Sequence, residues 1–444
     1  MTKRWRVALT VAGCLASSAC TYHNTIYNTQ RLYEQAERSR RAGRDSLANQ
    51  LYQEVIRKAA EAYRARPSSD WSGEALFLLG RSRLRLGELF EAHAALLEAE
   101  ARGPRELRPP IRAYVAAVLA ARGEATEAMA IVKEVTAQPL PGPALAEARL
   151  VAGQGYLAKG QAERGWWELD RAVDADPAIR VEAGLERLKW AVRRGDRDRA
   201  RAATDLLLSY PEGGARLTAV GDLLEESLAR WGPAATAELL TTASSSSWDR
   251  EARGRLRLVR ARLLSEGGDA AGAEAEAWEV AGTLGDAAAE ARIQLALWEL
   301  DRSEDLADAY AVRRILLPAG AHPGVSDLVD AVGELELYTN IGLGEPLGWF
   351  AAAEVARDRL DADYLARGLF LAYADGAPTQ PWAPKALLAA LEVTSSELDR
   401  AWLRGRLEAH DRSPYVLAAH GSSGAGFEAL EEELQVRLRE LRGR

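Results

Sequence analysis

From about residue 30 onward, apolar side chains recur three and four positions apart, the period of helices that bury one face. Alternating Val, Ile and Thr runs of strand length do not occur, so the pattern predicts helices and almost no sheet. Glycines punctuate these helices at a near-constant interval: Gly43, Gly87, Gly123, Gly160, Gly195, Gly232 and Gly268 are spaced 44, 36, 37, 35, 37 and 36 residues apart. Five positions after each stands a small residue: Ala48, Ala92, Ala128, Gly165, Ala200, Ala237 and Ala273. A glycine permits a tight turn between two helices, and a small side chain where they cross lets the axes approach. The spacing therefore predicts paired helices stacked in series. A long second helix, from about Ser46 to Arg64, accounts for the first interval. Ser244 to Ser247 read as a flexible turn.

Two of the repeats carry a fuller pattern. Leu76, Gly80, Gly87, Ala92 and Pro104 occupy large, small, turn, small and terminating positions in one; Gly153, Tyr156, Gly160, Gly165, Ala172 and Pro177 do so in another. This pattern resembles the tetratricopeptide repeat (TPR), over roughly Gln30 to Ala281. The resemblance implies an all-α fold, a TPR-like right-handed superhelical solenoid of antiparallel helix hairpins. Leu188 and Glu225 stand where the first helix should carry a small residue, so the hairpins around Gly195 and Gly232 match the pattern less closely. Beyond Gly285 the period degrades while helical patterning continues, with helices expected over Asp286 to Leu300, Asp305 to Leu316, Val325 to Tyr338, Leu347 to Leu360, Ala362 to Tyr373, Ala383 to Leu391 and Ser396 to Ala409. Ser413-Pro414-Tyr415 opens a short helix, Gly421 to Gly426 is a loop, and Phe427 to Leu441 forms a charged last helix suited to capping a solenoid. The expected organisation is a signal over 1–19, an anchor-proximal linker over 20–29, a TPR-like array over 30–285, and diverged helical repeats with a capping helix over 286–444.

The N-terminus departs from this pattern. Lys3, Arg4 and Arg6 precede an apolar run from Val7 that is too short to span a bilayer and ends in small residues and cysteine. Leu15-Ala16-Ser17-Ser18-Ala19-Cys20 resembles a bacterial lipoprotein signal, which implies lipidation of Cys20. Val11-Ala12-Gly13-Cys14 is the alternative: its aliphatic residue fits the usual lipobox better, but cleavage there leaves a shorter apolar region. No cysteine follows Cys20, so an internal disulfide after it is excluded. Thr21 in place of an aspartate implies sorting to an outer membrane, and hence a lipoprotein of the cell envelope facing the periplasm. Pro67-Ser68-Ser69-Asp70-Trp71 leading into Ala75 and Gly80, with Asn24, Tyr27 and Asn28 near the anchor, is similar to outer-membrane assembly lipoproteins of the BamD type.

Composition narrows the function classes. A formal charge of -8 gives no net basic field for a polyphosphate backbone, so no nucleic-acid partner is expected. His23, His93, His322, His410 and His420 show no metal-ligand spacing, and GxSxG, GxGxxG and GK[ST] signatures are missing. No catalytic residue, cofactor or metal is therefore assigned. The expected activity is recognition of other envelope proteins or peptides, with the membrane reached through the lipid anchor. Carrying the family's groove positions over residue by residue points to Glu74, Phe77, Arg81, Arg85, Leu150, Gln154, Lys189, Arg193, Arg255, Leu258 and Arg262. Basic side chains predominate there and would suit an acidic or carboxylate-terminated peptide. Most of the eleven tryptophans after the signal are expected in the core, and an exposed cluster of them would instead indicate surface capture of glycan or peptide for a transporter. Replacing Cys20 with Ser should abolish incorporation of labelled fatty acid while Cys14→Ser leaves it intact; labelling that survives loss of both cysteines would refute the anchor.

Overall fold

A computed structural model describes residues 25–303, 305–320, 322–421 and 426–443. The signal segment 1–19 and both Cys14 and Cys20 lie outside the described residues. Every regular element among those described is helical, and no helix there is long and apolar enough to cross a membrane. The described residues fall into two compact units, divided between Leu256 and Arg257. The boundary lies inside one helix and about thirty residues ahead of the expected change at 285, because packing and not repeat period decides which helices share a core.

Unit 1 is a series of hairpins. Helix α1 covers residues 25–41, followed by α2 (Asp45–Ala65), α3 (Ser72–Arg85), α4 (Leu89–Arg102), α5 (Arg108–Ala121), α6 (Ala125–Val135), α7 (Gly142–Ala158), α8 (Ala162–Ala175), α9 (Arg180–Arg194), α10 (Arg197–Ser209), α11 (Leu217–Trp231), α12 (Pro233–Glu238) and the start of α13 (Arg250–Glu266). Successive helices pack on one another, and first helices also touch first helices: α3 on α5, α5 on α7, α7 on α9, α9 on α11. This is the TPR-like all-α arrangement the spacing predicts.

All seven periodic glycines adopt positive φ, between 68° and 88°. Gly195 shows why: at φ 75° its amide reaches Val192 O at 3.0 Å, and Asp196 N reaches Ala191 O at 3.0 Å, closing α9 in a left-handed turn. The small residues five positions on are all buried, the alanines at 0% to 2% exposure. Close approach is literal at Gly80 and Gly153, where an added Cβ would lie 2.6 Å from Leu96 Cγ and from Leu169 Cδ2 respectively. The leucine of the second helix thus occupies the space a side chain on the first would need.

The hairpin at Gly195 forms despite Leu188. Gly184, one turn before Leu188, takes over the close approach, with its would-be Cβ 2.6 Å from Leu207 Cδ2. In the hairpin at Gly232 the second helix is only the six residues of α12. The serine run is a correction to the flexible-turn reading. Ser247 N donates to Leu208 O at 2.8 Å and the buried Trp248 indole donates to Leu207 O at 3.0 Å, so the segment satisfies the last carbonyls of α10.

Unit 2 contains α14 (Ala270–Ala281), α15 (Asp286–Arg302), α16 (Leu306–Leu316), α17 (Pro323–Gly342), α18 (Leu347–Asp358), α19 (Asp363–Gly376), α20 (Ala383–Glu392), α21 (Glu397–Leu407), α22 (Pro414–Ala419) and α23 (Phe427–Arg442). These match the helices read from the pattern to within a few residues. One contiguous apolar core runs from Ala296 to Leu441 and includes the edge-to-face rings Phe350, Phe370 and Tyr373. The last helix does more than cap: Leu434, Leu438 and Leu441 are wholly buried, α23 packs on α18, and Arg442 pairs with Glu354 at 3.0 Å.

Gly80→Ala should destabilise unit 1 by about 1–3 kcal/mol, because Leu96 must leave its well. By contrast Gly368→Ala, mid-helix in α19 with nothing near its would-be Cβ, should stabilise unit 2 by about 0.5–1 kcal/mol. Urea titration read by hydrogen exchange in each unit separately checks both signs.

Candidate functional site: a divided groove in unit 1

The sequence of α1 places Ile26, Thr29, Tyr33, Ala36 and Glu37 at helical spacing on one side, and all five are buried. That side lies against the first helices of later hairpins, so α1 covers part of the groove those helices line. A carboxylate in such a position needs partners. Glu37 accepts hydrogen bonds from Tyr52 Oη at 2.6 Å and Arg85 Nε at 2.9 Å, and pairs with Arg40 at 3.1 Å. Arg85 extends from there to Glu147 on α7, and Arg40 to Glu182 on α9. Burial alone would raise the Glu37 carboxyl, but the Arg85 and Arg40 guanidiniums and the Tyr52 hydroxyl outweigh it and hold the group far below the usual carboxylate range.

Arg81 sits one turn before Arg85. Its guanidinium lies 4.3 Å from the ring centres of both Tyr33 and Phe77 and 5.5 Å from that of Tyr114. Phe77 and Tyr114 meet edge to face at 5.4 Å. Tyr33, Arg81 and Tyr114, with Glu37, Arg85 and Glu147, line a cavity of about 520 Å³ beneath α1. On the other side of the Arg85–Glu147 pair lies a second cavity of about 480 Å³ over α3, α5, α6, α7 and α9, floored by alanines and Met129. It shares Gln154, Ala158, Glu186 and Lys189 with a third of about 400 Å³, which ends at Trp190, Arg193 and Arg194. Because Arg85 and Glu147 line both the first cavity and the second, the ion pair is a partition, with an alanine-floored trough beyond it.

The eleven residues assigned from the repeat pattern fall into three groups. Leu150, Gln154, Lys189 and Arg193 line the trough, with Lys189 3.9 Å from Glu186 and Arg193 3.6 Å from Glu226. Phe77, Arg81 and Arg85 lie on the α1 side, already engaged by the chain itself, and Glu74 is half-buried near the start of α3. The remaining three belong elsewhere. Arg255 pairs along its own helix with Glu251 at 3.0 Å, and Arg262 is an exposed residue of unit 2 whose Nε donates to Gln294 at 3.0 Å. Leu258 is a correction: at 2% exposure it belongs to a smaller apolar cluster of α13, α14 and α15 and lines no groove, because the face of α13 that carries it is covered by the next two helices.

Reading the pattern missed Glu37 and Glu147, which build the partition. Their signal was present: each is a carboxylate embedded in an apolar helical stripe, and such residues are seldom buried unless paired. The tryptophans also need correcting. Trp248 and Trp382 are buried at 3% and 7%, whereas Trp167, Trp278 and Trp402 are about half exposed, at 50%, 46% and 53%. An indole N–H requires an acceptor, which draws the ring to the edge of the packing, as where Trp190 donates to Leu157 O at 2.9 Å.

No family model matches the chain, and no curated protein does. Solved structures of similar fold include a tetratricopeptide repeat protein from Parabacteroides merdae, 16% identical, with a TM-score of 0.33 over 58% of this chain and 94% of that one. Human IFIT1, solved as a dimer with m7Gppp-AAAA, is 12% identical with a TM-score of 0.31 over 78% of this chain and 68% of its own. A monomeric IFIT1 mutant with Gppp-AAAA gives 13%, 0.29, 74% and 68%. The superpositions are partial; the TPR-like description rests on the hairpins themselves.

Because the Glu37 carboxyl is depressed, its contribution to stability is fully present above the ordinary carboxylate value of about 4.3 and is lost as pH falls from there toward the lowered value. Arg85→Met removes the partner of Glu147, leaves Glu37 with Arg40 and Tyr52, and should cost about 3–5 kcal/mol at neutral pH. The deficit should shrink on acidification, because protonation of Glu37 removes the charge that Arg85 stabilises. Urea unfolding at a series of pH values measures both, and a pH-independent deficit would contradict the assignment.

Proposed function

We propose that this protein is a lipid-anchored scaffold of the bacterial cell envelope, facing the periplasm, which holds an extended segment of a partner polypeptide in the trough of unit 1. The observation that carries the reading is the trough itself: an alanine-lined floor, over which a backbone can lie close, leading to Lys189, Arg193 and Arg194 at one end. An apolar peptide with an acidic or carboxylate terminus fits that sequence of surfaces. The anchor is supported by the basic start, short apolar run and cysteine of the N-terminal segment. Service in outer-membrane protein assembly is the narrower form of this proposal and is supported by the BamD-type resemblance of residues 67–80. Surface capture of glycan for a transporter is less well supported, since the three most exposed tryptophans sit on α8, α14 and α21, and Trp190 alone among the tryptophans borders the trough.

A photo-crosslinking amino acid at Gln154, introduced into the full chain in its own envelope, should attach to a defined polypeptide, and the same group at Gln380 in unit 2 should not. Lys189→Glu with Arg193→Glu should lower the yield at least tenfold. Equal labelling from both positions, or a yield indifferent to the charge reversals, would refute the trough as the binding site.

A further inference from the structure

Unit 1 closes on itself. The turn between α1 and α2 reaches residues far along the chain: Arg216, in the connection between α10 and α11, places Nη1 2.9 Å from both carboxylate oxygens of Asp45 and donates from Nη2 to Arg40 O at 2.8 Å. Arg40 pairs with Glu182 at the start of α9, and Arg41 stands 3.9 Å from Asp176. Gly43 fits so closely that an added Cβ would lie 2.6 Å from Ala215 O. The first hairpin and the fifth therefore meet along a seam, and a peptide lying in the trough cannot continue past the Arg85–Glu147 partition into the cavity beneath α1 while α1 stays in place.

The seam differs in kind from the other contacts of α1. Ile26, Tyr33 and Ala36 belong to an apolar core cluster that extends through Ala152 and contains no residue of α9, α10 or α11. Apart from the Gly43–Ala215 approach, the contacts across the seam are ion pairs and one side-chain bond to a backbone carbonyl, and a cavity of about 330 Å³ runs along it, lined by Arg38, Ala42, Ala178, Val181, Glu182 and Arg216. Asp45 is largely exposed, its side chain at 57%. The Asp45–Arg216 pair, with its carboxylate open to solvent, is screened and individually weak, and a contact bordered by a cavity is among the first to open. We propose that the seam is an entrance gate: the α1–α2 turn separates from residues 176–182 and 211–216 while the apolar core of residues 26–152 stays intact, admitting a partner polypeptide to the groove. The Asp45–Arg216 pair is its latch. Opening in this manner lengthens the arc of stacked hairpins without breaking any of them.

The gating half of this proposal rests on the trough being the binding site, and the seam itself is tested apart from that. In the full-length protein, Arg216→Glu should raise hydrogen exchange of residues 38–44 and 211–217 at least tenfold while leaving α3 and α5 unchanged, and the charge swap Asp45→Arg with Arg216→Glu should restore protection. Unchanged exchange in the single variant, loss of protection spreading through α3 and α5, or failure of the swap to restore it would each overturn the latch. In the envelope, crosslinking from Gln154 should rise at least threefold in Arg216→Glu and return in the swap. Seam opening without that rise would overturn the gate, whereas no crosslink from Gln154 in the unmodified chain would count against the trough and leave the latch to be judged by exchange.

Discussion

Two helix backbones can lie against each other only where one of them carries almost no side chain, and the hairpins of unit 1 are organised by that requirement. At Gly80 and Gly153 a leucine from the second helix fills the space that a Cβ would claim, and the alanines five residues beyond each turn are sealed off from solvent. Since a hairpin so built hides only part of its apolar surface, it must lean on the next, and stacking follows. The fifth hairpin shows that the requirement is physical and not positional. With leucine at 188, contact moves one helical turn back to Gly184, and the hairpin keeps its form.

Stacking brings the first helices side by side, and the groove along them inherits whatever charges those helices carry. In unit 1 it inherits a buried network. Glu37, Arg85 and Glu147 come from the first, second and fourth hairpins, and each satisfies a neighbour that would otherwise be an unpaired charge in an apolar setting. Such a network favours one arrangement of hairpins over any slipped one, because a shift of one turn leaves a charge stranded. It also separates the space under α1 from the trough. The arginines that a linear carry-over of groove positions assigns to a partner, Arg81 and Arg85, thus serve the chain's own interior, while Lys189 and Arg193 remain at the trough.

Much of this was legible from residue order alone: the helical period, the seven glycine turns with their small partners, the extent of each C-terminal helix to within a few residues, and four of the residues that line the trough. These are local properties. A glycine turns and an alanine lets helices approach for reasons that reside within about forty residues of chain. What only the tertiary structure decided is everything that depends on curvature: that α1 covers the groove, that Asp45 meets Arg216, that Leu258 is core, and that the serine run serves the end of α10. Small rotations between successive hairpins accumulate over several repeats before the first can meet the fifth. No single residue encodes that sum, so it appears only once the packed helices are assembled.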